Sequence, residues 1–360
     1  METRRSSVTR TPGDGAAVRR RSRSAGYQLL YRSTVGAASQ LCATPALTAR
    51  RLDASRRAPR SRNITEKVNE EHLTVLVKKE WHLSYVTPLY QFRHAHLKSY
   101  SRRLSAFIAA GKQDGLLVAL EGGQSSFGVS LSAVQGMAEA DSDAEMVLIQ
   151  IHSTPQFAGQ DEPQKSLWSG WLTCINGNPD YLCSIPDNFV CLPLFGCHGP
   201  ESLTAAVKAW FQTTFDCCFG QLEVSQTSLQ WLLALWTNCH AETSIQHLKM
   251  VWTIPVALPL QVTYAVDPRD AWELWRSIRK GQQEDTGENI DLEEVTSFVQ
   301  GLKSHFYRHF KLDLSAGILS QVSTGLGSAK DSGRIKFSSS RYMTTTMMLL
   351  TECALLKMPI

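Results

Sequence analysis

The sequence predicts an α+β protein in which curved, mostly antiparallel β-sheets are flanked by helices, in two lobes that follow a disordered basic tail. Three observations support this class. Four runs of alternating or β-branched residues follow one another between residues 116 and 175 with no helical pattern between them, which favours an antiparallel meander over parallel strands joined by crossover helices. Amphipathic helical patterns flank these runs on both sides. The first 62 residues differ from the rest of the chain in composition.

The tail, residues 1–62, contains fourteen Arg, no Lys and three acidic residues. Its net charge is therefore +11, whereas the remaining 298 residues carry a net charge of −7. With scarcely any aromatic residue it cannot bury enough apolar area to offset the entropy of ordering, so we predict disorder. Clustered Arg is typical of nuclear-localisation and nucleic-acid-binding segments and also of mitochondrial transit peptides. A merely solvated tail is the third interpretation.

Several classes of protein are disfavoured by composition. The longest apolar runs are far shorter than the roughly 18 to 20 residues that cross a bilayer, and the N-terminus has no apolar segment of the kind found in secretory signals. We therefore expect neither a membrane span nor a signal peptide. Nine cysteines in 360 residues, including adjacent Cys217 and Cys218, indicate reduced thiols and not a disulfide scaffold.

The first predicted lobe, residues 63–220, begins with two helical patterns. Residues 65–79 carry a single apolar stripe, and residues 95–112 repeat that pattern more strongly, as expected of a helix that packs on a sheet. A further helix over residues 201–215 closes the lobe. The strands predicted between these helices are 116–120, 127–131, 146–151 and 167–175.

The second predicted lobe, residues 221–360, uses similar patterns. A very apolar segment, residues 228–239, precedes strands and helices, and another apolar segment, residues 343–356, follows them. Glycine-rich residues 325–333 separate the last two strands, which predicts an antiparallel hairpin with a polar tip. The predicted strands are 248–254, 261–266, 318–324 and 334–337, and the predicted helices are 270–279 and 291–310.

The sequence supports no catalytic or metal-binding motif. His305 and His309 have the i, i+4 spacing of two zinc ligands, but Arg308 between them would repel a cation and no Glu follows His305 as a general base. The segment 325–330 lacks the spacing of a phosphate-binding loop. We predict no cofactor and no bound metal. The tryptophans lie in apolar periodic segments and are predicted to be core residues; they are Trp168, Trp171, Trp210, Trp231, Trp236, Trp252, Trp272 and Trp275.

A concentration of basic residues near the C-terminus stands out against the acidic body of the chain. It comprises a helical cluster and two residues of the following strands, and it predicts either a nucleic-acid-binding patch or a solvated helix face. The candidate nucleic-acid-binding residues are Lys303, Arg308, His309, Lys311, Arg334 and Lys336.

The sequence resembles the centromere protein L family, because many uncommon strings of residues occur in the same order in both. The run from Trp81 to Leu116 carries Thr87-Pro88-Leu89-Tyr90 and Tyr100-Ser101-Arg102, and the likeness continues over nearly all of residues 75–352. Other matching strings are Leu167-Trp168, Gly170-Trp171, Cys191-Leu192-Pro193-Leu194-Phe195, Trp210-Phe211-Gln212, Thr214-Phe215-Asp216-Cys217, Trp236-Thr237, Ser304-His305-Phe306, Arg308-His309-Phe310-Lys311, Leu314-Ser315-Ala316, Val322-Ser323-Thr324 and Leu350-Thr351-Glu352.

This resemblance implies a non-enzymatic structural subunit of the inner kinetochore, the constitutive complex on centromeric chromatin. Members of the family pair with centromere protein N and help to connect the specialised centromeric (CENP-A) nucleosome to the other inner-kinetochore subunits. The implied location is the nucleus, at the centromere, and the implied role is support of chromosome segregation. The family fold is α+β with curved, largely antiparallel sheets.

The resemblance also implies where the partner binds. Pairing in the family is attributed to C-terminal strands, which correspond here to residues 318–324 and 334–337. An exposed edge strand offers unpaired N–H and C=O groups that a partner strand can satisfy. The candidate partner-binding residues are Leu319, Val322, Ile335 and Phe337, and the basic residues named above are implied to face DNA held by the assembled complex.

Two other functions remain open on the sequence. A mitochondrial matrix enzyme imported through the Arg-rich tail predicts a protein shortened near residue 60 inside mitochondria, with a Cys/His site that no motif identifies. An autonomous DNA-binding chromatin protein predicts binding by the isolated chain without its partner. The net charge of −7 on the body disfavours strong autonomous binding.

Overall fold

A computed structural model describes residues 56–57, 70–113, 126–137, 143–154, 165–239, 247–256, 258–280, 289–340 and 342–358. The predicted strand 116–120 lies outside these residues. So does the predicted disordered tail, except for Arg56 and Arg57, which form a short strand. No helix of the described residues is long and apolar enough to cross a membrane.

The helices agree with the predicted ones to within a few residues at most ends. The sequence did not predict the secondary structure of two apolar segments, 228–239 and 343–356, and both are helical. A 3₁₀ turn, His94–His96, precedes the second helix. The helices of the described residues are α1 (Glu70–Leu76), α2 (Leu97–Gln113), α3 (Pro179–Ser184), α4 (Glu201–Phe215), α5 (Gln226–Asn238), α6 (Pro268–Lys280), α7 (Leu292–Phe310) and α8 (Met343–Lys357).

The strands occur singly or in runs of two or three between these helices. They are β1 (Arg56–Arg57), β2 (Glu80–Val86), β3 (Leu89–Tyr90), β4 (Ser126–Val134), β5 (Met146–Thr154), β6 (Lys165–Thr173), β7 (Phe189–Val190), β8 (Leu194–His198), β9 (Phe219–Gln221), β10 (Leu248–Ile254), β11 (Leu260–Val266), β12 (Asn289–Ile290), β13 (Ile318–Thr324), β14 (Gly327–Lys330) and β15 (Arg334–Phe337).

One eleven-stranded sheet organises the molecule. Its strand order is β11-β10-β13-β14-β15-β2-β8-β6-β5-β4, and β9 pairs with the end of β2 that β15 leaves free. Every pair in it is antiparallel and the sheet is open. The predicted α+β class with an antiparallel sheet is therefore confirmed. Strands from both sides of residue 220 belong to this sheet, and the division into lobes at 63–220 and 221–360 stays a prediction.

The predicted C-terminal hairpin is wrong, because its two strands do not pair with each other and run in the same direction. The strands Ile318–Thr324 and Arg334–Phe337 have the predicted ends, but β14 lies between them and pairs with both. The expected loop tip is therefore partly a strand. Its sequence, Gly-Ser-Ala-Lys, contains no β-branched or aromatic residue and so carries no local strand signal.

Two hydrophobic cores lie on opposite faces of the sheet. Residues that are directly opposite in antiparallel strands point to the same face. The register links Ile335 to Trp81 on one face and Phe195 to Leu172 on the other. The first core, which contains Trp81 and Ile335, is covered by α1, α5, α6, α7 and α8. The second core, which contains Phe195 and Leu172, is covered by α2 and α4.

The second core ends at β2. Its members are drawn from residues 86–217, and none comes from β10, β11, β13, β14 or β15. The half of the sheet formed by these five strands is therefore covered by helices on one face only, within the part of the chain that the structure describes. We call its other side the open face.

The tryptophans confirm the prediction that they are core residues, with one exception. Seven of the eight predicted ones are buried in one of the two cores. Trp272 on α6 is half-buried, and the guanidinium of Arg276 lies 5.2 Å from the centre of its ring.

Gly196 is expected to tolerate no larger residue. A Cβ at this position of β8 would overlap the indole ring of Trp171 in the first core. We expect Gly196→Ala to lower the free energy of unfolding by about 1 to 3 kcal/mol, the usual cost of overpacking a core. Urea denaturation measures this change. Gly128→Ala in β4 is the control, because a Cβ at that position would have no neighbouring atom within 4 Å; equal losses for both variants would contradict the packing described.

Candidate binding surfaces

The four predicted partner-binding residues lie in the first core. Leu319, Val322 and Ile335 have no exposed surface and Phe337 is 2% exposed. Their strands are also interior, because β13 lies between β10 and β14, and β15 lies between β14 and β2. The expectation that these strands form an exposed edge is therefore wrong. Residues 80–82, far away in the sequence, pair with β15 and remove its free edge.

Among the described residues, β11 is the free edge of this half of the sheet, because it pairs only with β10. Apolar side chains are exposed where β10 turns into β11: Val256 is 53% exposed, Leu258 is 85% exposed and Leu260 is 50% exposed. Ile318, which is 51% exposed, lies opposite Thr253 at the same end of β10. We call Val256, Leu258, Leu260 and Ile318 the edge patch. Exposed apolar residues beside an unpaired strand are typical of a surface that receives a partner strand.

The open face carries positive charge. Lys249, Lys330, Arg334 and Lys336 point to this side, as the register across β10, β13, β14 and β15 shows. Glu80 of β2 lies opposite Lys336 on the same face and accepts a 2.8 Å bond from the Lys330 ammonium. This bond and the nearby cations hold the pKa of Glu80 below its ordinary value. Lys249, Arg334 and Lys336 are exposed.

The basic residues of α7 lie on the other side of the sheet. This helix contributes Phe298, Leu302 and Phe306 to the first core, so its exposed face points away from the open face. The Lys303 ammonium lies 4.8 Å from the centre of the Trp252 ring, and desolvation lowers the pKa of Lys303. The structure thus separates the predicted nucleic-acid-binding residues. Arg334 and Lys336 share one face. Lys303, Arg308 and His309 belong to the helix that covers the opposite face, and Lys311 directly follows that helix.

The histidine pair on α7 makes protein contacts. The rings of His305 and His309 are 4.5 Å apart, and His305 Nδ1 lies 2.5 Å from the Tyr264 hydroxyl. Burial raises the pKa of Tyr264 to about 12, so its phenol keeps its proton at neutral pH. Among the described residues, no three His, Cys, Asp or Glu side chains are grouped so as to hold a metal ion.

Within the described residues, the cysteines form no disulfide bonds. Burial raises the pKa of Cys174 and of Cys217 to about 12 and also raises that of Cys191 and Cys197. These four side chains are therefore protonated at neutral pH. A protonated thiol is a poor nucleophile and a poor metal ligand.

These features define a class: an α+β protein built on an open antiparallel sheet, with a free strand edge beside apolar side chains and a basic open face. The chain belongs to the centromere protein L family, because the model of that family, described as "Centromere protein L", matches residues 75–355.

Relatives with the name centromere protein L support this assignment. The protein from Danio rerio is 52% identical over all 360 residues, which cover 95% of that relative. The protein from Gallus gallus is 40% identical over 81% of this chain and 83% of its own. The protein from Homo sapiens is 38% identical over 83% of this chain and 86% of its own.

Proposed function

We propose that this chain is a non-enzymatic structural subunit of the inner kinetochore, located at the centromere in the nucleus. In this role it pairs with centromere protein N and links centromeric CENP-A nucleosomes to other inner-kinetochore subunits, and so supports chromosome segregation. The observation that carries the proposal is the match to the centromere protein L family over residues 75–355. The free edge and the open face supply surfaces of the kind that this role needs.

The edge patch and β11 are the proposed surface for centromere protein N. A partner strand that pairs with β11 would satisfy the backbone groups on its outer side and would extend the sheet. Leu258 and Leu260 would lose their water contact in the same step, and burial of such apolar area stabilises association. The buried residues Leu319 and Ile335 would then act indirectly, by holding β10 and β15 in place.

The pairing is tested by measuring mass in solution. Full-length chain is expressed with and without centromere protein N and analysed by light scattering. We expect a 1:1 heterodimer when the two are expressed together. A chain that stays at its own mass of 40.1 kDa in the presence of centromere protein N would contradict the proposal.

The location is tested by imaging a fluorescent fusion of the full chain. Paired nuclear foci that coincide with centromeric chromatin support the proposal. A mitochondrial signal, with a chain shortened near residue 60, would support the enzyme that the sequence left open.

The open face is the proposed surface for nucleosomal DNA, through phosphate contacts without base specificity. We expect Arg334→Glu/Lys336→Glu, in the complex with centromere protein N, to weaken duplex DNA binding at least about tenfold. The slope of log affinity against log salt concentration should also fall in magnitude by about 2, since each lost phosphate contact contributes about 0.9. Fluorescence anisotropy over a salt series measures both quantities.

Arg308→Glu/Lys311→Glu is the matched comparison, because it makes the same charge change at the C-terminal end of α7. We expect a smaller effect on affinity and slope than for the open-face pair. An effect confined to the α7 pair would place the DNA contact on the helix-covered side, and an unchanged slope for both pairs would refute both assignments.

A further inference from the structure

A cavity of about 450 Å³ lies where the second core ends and the open face begins. Helix α4 forms one wall, β2 and β8 form the floor, and β9 and the turn before β15 form the other wall. It is a recess in the protein surface and is separate from the edge patch. Its polar lining residues include His82, Ser84, Glu201, Lys208 and Arg334.

Lys208 is held in a fixed position in this recess. Its ammonium donates a 2.9 Å hydrogen bond to the Ser84 hydroxyl, and Ser84 is only 4% exposed. The same ammonium lies 5.7 Å from the ring centres of both Phe195 and Phe219. A lysine whose stem is packed and whose amine is ordered loses little further entropy when it binds an anion.

The charges around the cavity leave one positive charge in excess. Lys208 and Arg334 contribute two positive charges, and Glu201 at the start of α4 contributes one negative charge. Desolvation and the nearby Arg334 lower the pKa of His82, so this side chain is neutral at pH 7. A single carboxylate balances the excess, whereas a phosphorylated side chain brings about two negative charges.

The strand that borders the cavity is also paired on one side only. β9 pairs with residues 84–86 of β2, and β15 pairs with residues 80–82 on the same side of β2, so the two strands lie end to end. No strand of the described residues pairs with the other edge of β9. Its residues Phe219, Gly220 and Gln221 all line the cavity. A recess with an excess positive charge beside a strand edge that is unpaired among the described residues fits an extended acidic peptide, which supplies both a main chain and a side chain.

We propose that this cavity binds an extended acidic peptide segment of another protein, with one Glu or Asp side chain directed at Lys208 and the peptide main chain alongside β9. Duplex DNA is a poorer fit, because a rigid double helix is much wider than a recess of this volume and its phosphates would pass across the opening. This inference does not rest on the proposed pairing with centromere protein N or on the open-face DNA contact.

Fluorescence anisotropy with a synthetic peptide tests the inference on the full-length chain. The probe is fluorescein-labelled acetyl-(Val-Glu)₄-amide, and the reversed-charge probe is the corresponding (Val-Lys)₄ peptide. We expect binding of the acidic peptide only, and we expect Lys208→Met to weaken it about tenfold, the size of one lost charge-assisted hydrogen bond. Met preserves most of the packing of the lysine stem. Lys98→Met on α2 is the control, because Lys98 is exposed and does not line the cavity. This variant should have the same affinity for the peptide as the unaltered chain has.

Hydrogen exchange distinguishes binding in the cavity from nonspecific attraction between the acidic peptide and a positively charged surface, because only binding in the cavity should protect β9. Peptide binding should slow amide exchange in residues 219–221, and this protection should be absent in Lys208→Met. Equal peptide affinity for the unaltered chain and Lys208→Met would overturn the inference, as would failure of the acidic peptide to bind. Loss of DNA affinity in Lys208→Met, with competition between duplex DNA and the peptide, would assign the cavity to DNA phosphates instead.

Discussion

Leu258→Asp/Leu260→Asp is expected to abolish the heterodimer with centromere protein N while the chain remains folded. Both side chains are exposed, at 85% and 50%, so a carboxylate at either position stays hydrated in the free chain and costs little stability. In the proposed complex the same carboxylates would be buried without a partner, at a cost of several kcal/mol. We therefore expect affinity to fall at least about a hundredfold. Co-purification followed by light scattering measures the loss.

The control for this prediction is Phe107→Asp on α2. Phe107 is 40% exposed but belongs to the helix that covers the second core and not to the edge patch. It should leave the heterodimer intact. Thermal unfolding checks that all variants are folded. If the double variant is folded and still forms the heterodimer, the partner does not bind at β11.

Ile335→Asp is expected to unfold the chain. Ile335 has no exposed surface and lies opposite Trp81 and Ala329 in the centre of the sheet. A carboxylate there would be buried without an opposite charge, which costs about 3 to 5 kcal/mol. That cost is a large part of the about 5 to 15 kcal/mol that stabilises a typical domain. Urea denaturation and the yield of soluble protein measure the effect.

The neighbouring residue provides the control. Lys336 follows Ile335 on β15 but points to the open face and is exposed, so Lys336→Asp should change the free energy of unfolding by less than about 1 kcal/mol. If Ile335→Asp folds normally and loses only its partner, the side chain contacts the partner, as the sequence predicted, and our placement of it in the core is wrong.

Local elements of the fold were predictable because their signals are local. The helix predicted over residues 291–310 spans Leu292–Phe310, and Asp291, the N-cap residue before it, forms a capping box with Glu294. Both residues are visible in the sequence, three positions apart. The alternation of apolar and polar residues likewise gives the correct ends for β10, β13 and β15. These patterns depend on neighbours within one or two turns of helix or one strand.

The candidate binding surfaces were only partly predictable. The basic residues of α7 and of β15 lie within about 30 positions of one another and were treated as one patch. The helical period places Phe306 of α7 in the first core, and the strand period places Arg334 on the open face, so the patch is divided. The cavity beside Lys208 was missed, because its residues come from four distant segments and no spacing in the sequence connects them.

The sequence by itself determined the α+β class, the approximate bounds of about half of the elements and the family of this protein; strands β2 and β8 at the centre of the sheet were not predicted. Only the tertiary structure decided which strands are edges, since that depends on pairs such as β2 with β15, about 250 residues apart. The same strand can be an edge or an interior strand without any change in its own residues. Periodicity reports which side of a strand is apolar, but the neighbours that bury that side are chosen by packing of the whole chain. For this reason Leu319 and Ile335 were recognised as apolar strand residues and were nevertheless assigned to a surface that they do not reach.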